Sequence, residues 1–230
     1  MTSLQDLDKT ASLKKEMVID KIRDIILTHK LLPGQKIVQD DIANELGVSK
    51  IPVREALRML EAEGWVESNH GKGFVVAVQT IEDVYEMYVI RAALEGVAAR
   101  EVTKLVQAEK KVGKRLAQAE KFLEQMEEEI SIQEWLQLNT EFHSSIYRES
   151  HLIRVIELIN RYTLATSRWV YSYAGEMTNR KRANLQHREI FDAVINGRAG
   201  DAERLTLQHL EETRDKAIEW LKMTGVIQPR

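Results

Sequence analysis

A glycine set between two short amphipathic runs limits what this chain can fold into more than any other feature. Asp41 to Trp65 reads DIANELGVSKIPVREALRMLEAEGW. Ile42, Ala43 and Leu46 fall at i, i+1 and i+4 on one helix face, and Gly47 then admits the left-handed conformation that ends a helix. Ser49 is placed to cap a second helix, its hydroxyl accepting from an otherwise unpaired backbone N–H. Pro52 falls in the first turn, where its missing N–H does little harm. In that second helix Val53, Leu57 and Leu60 recur at i, i+4 and i+7, while Lys50, Arg54 and Arg58 recur at i, i+4 and i+8 on the neighbouring face. Alone, this pattern fits either a solvated amphipathic helix or a helix presented to a polyanion.

The residues that follow separate the two. Trp65 to Val78 forms two short β-type runs around a His70-Gly71-Lys72-Gly73 turn, a hairpin wing. A glycine-rich tip carrying His70 and Lys72 can approach a phosphate backbone or a minor groove closely, because glycine leaves backbone N–H groups accessible. Helix, helix-turn-helix and hairpin in that order make a winged helix, a DNA-binding form.

The run LLPGQKIVQDDIANELGVSKIPVREALRMLEAEGWVESNHGKGFVV resembles the DNA-binding domain of GntR-type bacterial transcription regulators. That family has a proline-glycine turn, a V-S-R-x-P-V-R-E-A-L recognition helix and a glycine-rich wing. Pro33-Gly34, Val48-Ser49 and Pro52-Val53-Arg54-Glu55-Ala56-Leu57 match directly. The resemblance implies that Ser49, Lys50, Ile51, Arg54, His70, Gly71 and Lys72 lie at the operator, with Arg58 on the same cationic face. The chain departs from the family where Lys50 stands for the usual Arg and where Asp40 stands for an Arg common just before the first helix of the motif. Lysine lacks the planar fork of arginine, so base discrimination there is expected to be less stringent.

Charge argues for local rather than general basicity. The formal net charge is −3, and up to Val78 there are 11 basic against 12 acidic side chains. Asp40, Asp41, Glu45, Glu61 and Glu63 are expected around the motif rather than on its DNA face, giving modest non-specific binding and reliance on a dimer for affinity. At 230 residues, 43% apolar and 30% charged, the chain has room for a small domain and a larger one. The absence of cysteine excludes disulfides, thiolate zinc fingers and cysteine nucleophiles. No apolar stretch reaches the roughly 18 residues of a membrane span, and the N-terminus lacks the order of a signal peptide, so no membrane partner and a cytoplasmic location are expected.

The chain changes character near residue 79. From Ile81 to about Lys222 there is no proline, and the pattern is helical nearly throughout, punctuated by Ser131, Gly175 and Gly197 to Asp201. A mainly α protein is expected: residues 1–78 a winged helix-turn-helix with a small β-hairpin wing, and 79–230 an all-helical effector-binding and dimerisation domain. Six helices are predicted: Ile81 to Lys104, Gln107 to Glu129, Ile132 to Ser150, Leu152 to Ser172, Asn179 to Asn196 and Gly200 to Met223, in an antiparallel bundle. Glu109 to Glu129, heavily charged around Val112, Leu116 and Phe122, is placed on the outside of that bundle.

His143, His187 and His209 all lie in amphipathic stretches of this domain, and Asn139 sits four residues before His143 on the same helix face. Imidazoles on inward faces need partners. Either each is separately hydrogen-bonded or partly exposed, or the three bind a divalent metal as neutral ligands, with the Asn139 oxygen as a weaker fourth.

From Ile81 onward the sequence resembles the FCD ligand-binding domain of the FadR subfamily, marked by D-x-x-x-H on one helix, a His opening the next-to-last helix and a His on the last. The resemblance implies metal ligands at His143, His187 and His209, with Asn139 in place of the aspartate. A neutral amide removes one negative charge, which lowers affinity most for oxygen-loving cations and leaves zinc or nickel favoured over magnesium or calcium. It also implies a small carboxylate effector, and six helices point to the VanR-like group. Arg91 falls where the family commonly has Arg; it can grip an effector carboxylate or pair with Glu95, four residues on.

The expected whole is a homodimeric, ligand-responsive transcription regulator, most simply a repressor, with each winged helix on one half of a palindromic operator. Two alternatives are a metal-dependent hydrolase built on the three-histidine site and a dimeric DNA-binding protein with no effector.

Overall fold

The computed structural model describes residues 4–28, 30–62, 64–69, 73–78, 80–109, 114–128, 130–174 and 177–224. The chain divides into two compact units between Thr80 and Ile81.

In the first unit, helix α1 (Leu4–Leu27) precedes strand β1 (Lys36–Ile37), α2 (Gln39–Leu46), α3 (Lys50–Ala62), β2 (Val66–Ser68) and β3 (Phe74–Val76). The sheet runs β1-β3-β2, antiparallel throughout, with Val66 opposite Val76 and Ser68 opposite Phe74. The predicted wing is the β2–β3 hairpin; β1 is an addition. It arises because Pro33-Gly34 turns the chain back, Gly34 taking φ 77° and donating to the Val76 carbonyl at 2.8 Å. Two residues have no periodicity, so nothing in the sequence marks β1 as a strand.

The turn between α2 and α3 follows from backbone chemistry. Gly47 sits at φ 63°, ψ 34°, its N–H directed to the Asn44 carbonyl and that of Val48 to Ala43 at 3.0 Å. This pair of bonds satisfies carbonyls that the end of a helix otherwise leaves open. Past the turn, α3 buries Val53, Ala56, Leu57 and Leu60 completely, against Val18 and Ile22 of α1, Ile42 of α2, and Trp65 and Val76 of the wing. Glu61 fixes the wing to the end of α3, its carboxylate accepting from the Ser68 N–H at 2.9 Å.

The second unit is helical throughout its described residues: α4 (Ile81–Glu109), α5 (Lys114–Met126), α6 (Ile132–Tyr147) with a 3₁₀ turn at Arg148–Ser150, α7 (Ile153–Tyr173), α8 (Met177–Ile195) and α9 (Ala199–Thr224). Ser131 caps α6 by accepting from the Glu134 N–H at 3.2 Å. Gly197, at φ 69°, ends α8. The predicted break at Gly175 lies outside the described residues.

One predicted boundary is corrected. The break expected near Lys104 falls after Glu109, because Val106 is buried and continues the inward stripe of Ala99 and Val102. α5 is correspondingly short and buries Leu116, Ala119, Leu123 and Met126, whereas Phe122 is only half-buried. Its charges face outward, as the composition suggested, and Val112 lies outside the described residues.

Replacing Gly47 by Ala places a Cβ in the left-handed region and is expected to cost about 1–2 kcal/mol. Urea unfolding of the full chain checks this, and an unchanged midpoint contradicts it.

Candidate DNA-reading helix and metal centre

The face of α3 opposite its buried stripe is open. Ser49, Lys50, Ile51, Arg54 and Arg58 are all exposed, Ile51 to 61%. Arg54 and Arg58 make no ion pair among the described residues, so their donors are free for a ligand. Lys50 differs: its ammonium lies 2.6 Å from the Asp40 carboxylate at the start of α2. Asp40, expected beside the DNA face, therefore meets a residue of that face, because the Gly47 turn brings the first residues of the two helices together. The pair is well exposed, so solvent screening leaves it weak, a tether rather than a stabilising bond. His70, Gly71 and Lys72 lie outside the described residues. On either side of them, the Asn69 N–H donates to the Gly73 carbonyl at 2.8 Å.

In the helical unit α6, α8 and α9 bring His143, His187 and His209 together, one nitrogen of each lying within 4.8 Å of the others. His143 Nε2 is 3.2 Å from His187 Nε2, which is 3.3 Å from His209 Nε2. Adjacent ligands about 2.0–2.1 Å from a common ion stand about 3.0–3.4 Å apart, so both spacings suit a metal. Trp135, stacked at 6.3 Å, and Phe142, at 5.0 Å, wall His187 off from water.

The surrounding hydrogen bonds assign the protons. Buried Tyr147 donates its only hydroxyl hydrogen to Glu95 Oε2 at 3.0 Å, so toward His143 Nδ1, 3.2 Å away, it offers only lone pairs. His143 must then donate from Nδ1. The Gln186 carbonyl oxygen, 3.0 Å from His209 Nδ1, imposes the same tautomer on His209. Both Nε2 atoms thus face His187 as lone pairs. A single His187 N–H cannot serve both well, and its Nδ1 is buried without a partner. A cation accepted by the three nitrogens resolves the mismatch, and the donor set fits such an ion.

Electrostatics point the same way. Burial first, and then the neighbouring His209 and Arg91, hold His143 well below the usual imidazole range. Burial, His209 and His143 do so for His187. Burial and Arg91 lower His209 to about 4, with Glu212 opposing. All three are neutral near pH 7, the form that ligates.

Arg91, Asn139, His143 and Tyr147 line one side of a small cavity of about 30 Å³, closed by Ile156, Ile159 and Thr163 of α7. Asn139 and His143 share a face of α6, as the four-residue spacing predicted. Arg91 is buried and pairs with Glu95: its Nε donates to Glu95 Oε1 at 2.8 Å and a terminal N–H donates to Thr166 at 2.8 Å. Burial would lower its pKa, but the Glu95 carboxylate outweighs this and raises it. Tyr147 and Gln186 were not among the sequence candidates, and Glu95 was named only as a partner for Arg91. Tyr147 lies four residues after His143, the one local signal available for it, whereas Gln186 reaches His209 only through the packing of α8 on α9.

Comparisons with known proteins divide the chain at the same place. Residues 14–76 match the family described as bacterial regulatory proteins, gntR family, and residues 86–212 match the FCD domain. The HTH-type transcriptional regulator YdhC of Bacillus subtilis is 30% identical over 196 residues, 83% of this chain and 84% of that protein. The Nta operon transcriptional regulator of Aminobacter aminovorans is 25% identical over 201 residues, covering 85% and 90% of the two chains. In fold, the chain is similar to a transcriptional regulator GntR from Rhodococcus sp. RHA1, with a TM-score of 0.68 at 23% identity, over 89% of this chain and 97% of that one.

A histidine held neutral by burial makes the folded state lose stability as pH falls. Unfolded imidazole titrates near 6.5, so between 6.5 and about 4 the unfolded chain binds more protons than the folded one, and above pH 7.5 the effect vanishes. His209 alone should cost the metal-free protein about 2 kcal/mol on going from pH 7.5 to 5. Urea titrations of chelator-treated chain at the two pH values measure this; equal stabilities would contradict it.

Proposed function

The chain belongs to the GntR family and carries an FCD domain, so it is a DNA-binding transcription regulator, and from that premise we propose that it is a homodimeric repressor sensing a small carboxylate. Each α3 enters a major groove of one operator half, with Arg54 and Arg58 as the principal cations beside Ser49, Lys50 and Ile51. The wing residues His70, Gly71 and Lys72 lie along the phosphates. Two subunits on a palindrome supply the affinity that one nearly neutral winged helix lacks.

In the helical domain His143, His187 and His209 would hold zinc or nickel, with the Asn139 oxygen as a fourth, neutral donor. The ion would supply positive charge and open positions for a carboxylate oxygen. What supports sensing is the position of His143, which belongs to the triad and also lines the cavity with Arg91. A ligand entering there touches a metal-binding side chain and a guanidinium together. Arg91 spends two donors on Glu95 and Thr166, and its remaining N–H groups are the ones proposed to meet the effector.

The cavity as it stands has room for about two waters, so an organic acid enters only if α6 and α7 part. Binding is thereby tied to a change of conformation, and the effector would shift dimers between DNA-competent and DNA-incompetent arrangements through the linker at Val78 to Glu82. A hydrolase is less well supported. No carboxylate among the described residues joins the histidine cluster, and Glu95, the acid behind it, is committed to Arg91 and Tyr147.

Arg54→Ala should weaken operator binding about ten- to hundredfold without altering the fold, because the side chain is exposed. A gel shift with DNA selected from random sequence measures it, and parental affinity would remove Arg54 from the interface. His187→Ala should abolish metal uptake and effector response while metal-free operator binding persists; equal metal content by elemental analysis would reject the ligand role.

A further inference from the structure

An isolated neutral imidazole places its proton on either nitrogen with little preference, and in this triad both choices for His143 have a partner. With the proton on Nε2 it would donate to His187, 3.2 Å away; on Nδ1 it donates to Tyr147, also at 3.2 Å. Only the second leaves a lone pair for a metal. The outcome is decided behind the histidine. Glu95 is 1% exposed and accepts from Arg91 through Oε1 and from Tyr147 through Oε2. With the Arg91 guanidinium on its other oxygen, the carboxylate takes the Tyr147 hydrogen, and the phenol oxygen is left able only to accept from His143.

We propose that Glu95 and Tyr147 are positioning residues for a metal on His143, His187 and His209: a buried carboxylate–tyrosine–imidazole relay that holds His143 as the Nδ1–H tautomer and aims its Nε2 lone pair at the ion. The relay rests on the metal-site assignment above and adds to it the residues that prepare the ligand. It also gives the site a carboxylate through His143, where Asn139 contributes only a neutral amide. An imidazole whose far N–H is hydrogen-bonded toward a carboxylate is a better donor to a metal, and loss of such a partner typically lowers metal affinity 10- to 100-fold. In this arrangement Arg91 has a second task, which is to clamp Glu95.

The test uses the full chain, labelled with ¹⁵N, stripped by chelator and then titrated with zinc. Ring-nitrogen NMR reports the His143 tautomer in the metal-free protein, and competition with a chromophoric chelator reports zinc affinity. In the parent His143 should be Nδ1–H before zinc is added. Tyr147→Phe keeps the ring but removes the acceptor; it should give mixed His143 tautomers and zinc binding 10- to 100-fold weaker. Glu95→Gln removes the charge and one of the two acceptor oxygens, so the carbonyl that is left can serve Arg91 or Tyr147 but not both, and zinc binding should weaken. A single Nδ1–H tautomer and parental zinc affinity in Tyr147→Phe overturn the relay. Should that variant not fold, parental affinity in Glu95→Gln overturns it. A parent that takes up no zinc refutes the metal site, and the tautomer comparison between metal-free parent and Tyr147→Phe then decides the relay by itself.

Discussion

The organisation of the helical domain depends on two opposite charges buried one helical turn apart. Arg91 and Glu95 are 6% and 1% exposed, and taking such a pair out of water costs more than a surface pair ever returns. They persist because each finds a further polar partner: Arg91 reaches Thr166 on α7, and Glu95 reaches Tyr147 on α6. Three helices are thus held in register by hydrogen bonds that tolerate no slippage. Apolar side chains of the same volume would pack equally well, but they would not specify which face of α6 turns inward, and therefore where His143 points. The ion pair contributes specificity of arrangement more than stability.

The winged helix is governed by the opposite economy, in which charges stay in water and act locally. With 11 basic and 12 acidic side chains up to Val78, a diffuse attraction for DNA is absent. Its place is taken by an open stripe on α3 whose cations differ in readiness. Arg54 and Arg58 carry no counter-charge among the described residues, whereas Lys50 is tethered to Asp40. A lysine that must leave a carboxylate to reach a base gains less from doing so than a free one. On the proposed DNA face this distribution would favour Arg54, and would make Lys50 a weaker contact than its position at the start of the helix implies.

How much of this was legible in the sequence follows from the range of the interactions. Gly47, Gly197 and Ser131 act within a few residues of themselves, so the turn, the end of α8 and the cap of α6 could be read directly. The buried stripe of α3 obeys helical periodicity for the same reason. The three histidines stood out because imidazoles on apolar faces demand partners, and the resemblance to FCD domains supplied the pairing that periodicity alone left open. What escaped was non-local or unpatterned. β1 is two residues long, α4 outran its expected end because Val106 found a buried site, and Asp40 met Lys50 only once the turn had folded. Gln186 and Tyr147 are ordinary residues until the proton on a neighbouring imidazole has to be placed.

A metal on the triad and an effector in the cavity, as proposed, could not act independently. His143 belongs to the triad, to the relay through Tyr147, and to the wall of the cavity. A carboxylate that entered beside Arg91 would compete with Glu95 for the same guanidinium, and as Glu95 loosened, so would its hold on Tyr147 and on the tautomer of His143. Such a ligand would have to gain from the ion at least what it disturbs in the relay. Reciprocity then requires that whatever factor the metal applies to effector affinity, the effector applies to metal affinity. The small size of the cavity sharpens the consequence. On the proposed reading α6 and α7 would part before an organic acid fits, so the free energy of opening would be subtracted from its affinity, and the helix movement that admits the ligand would do part of the work of switching.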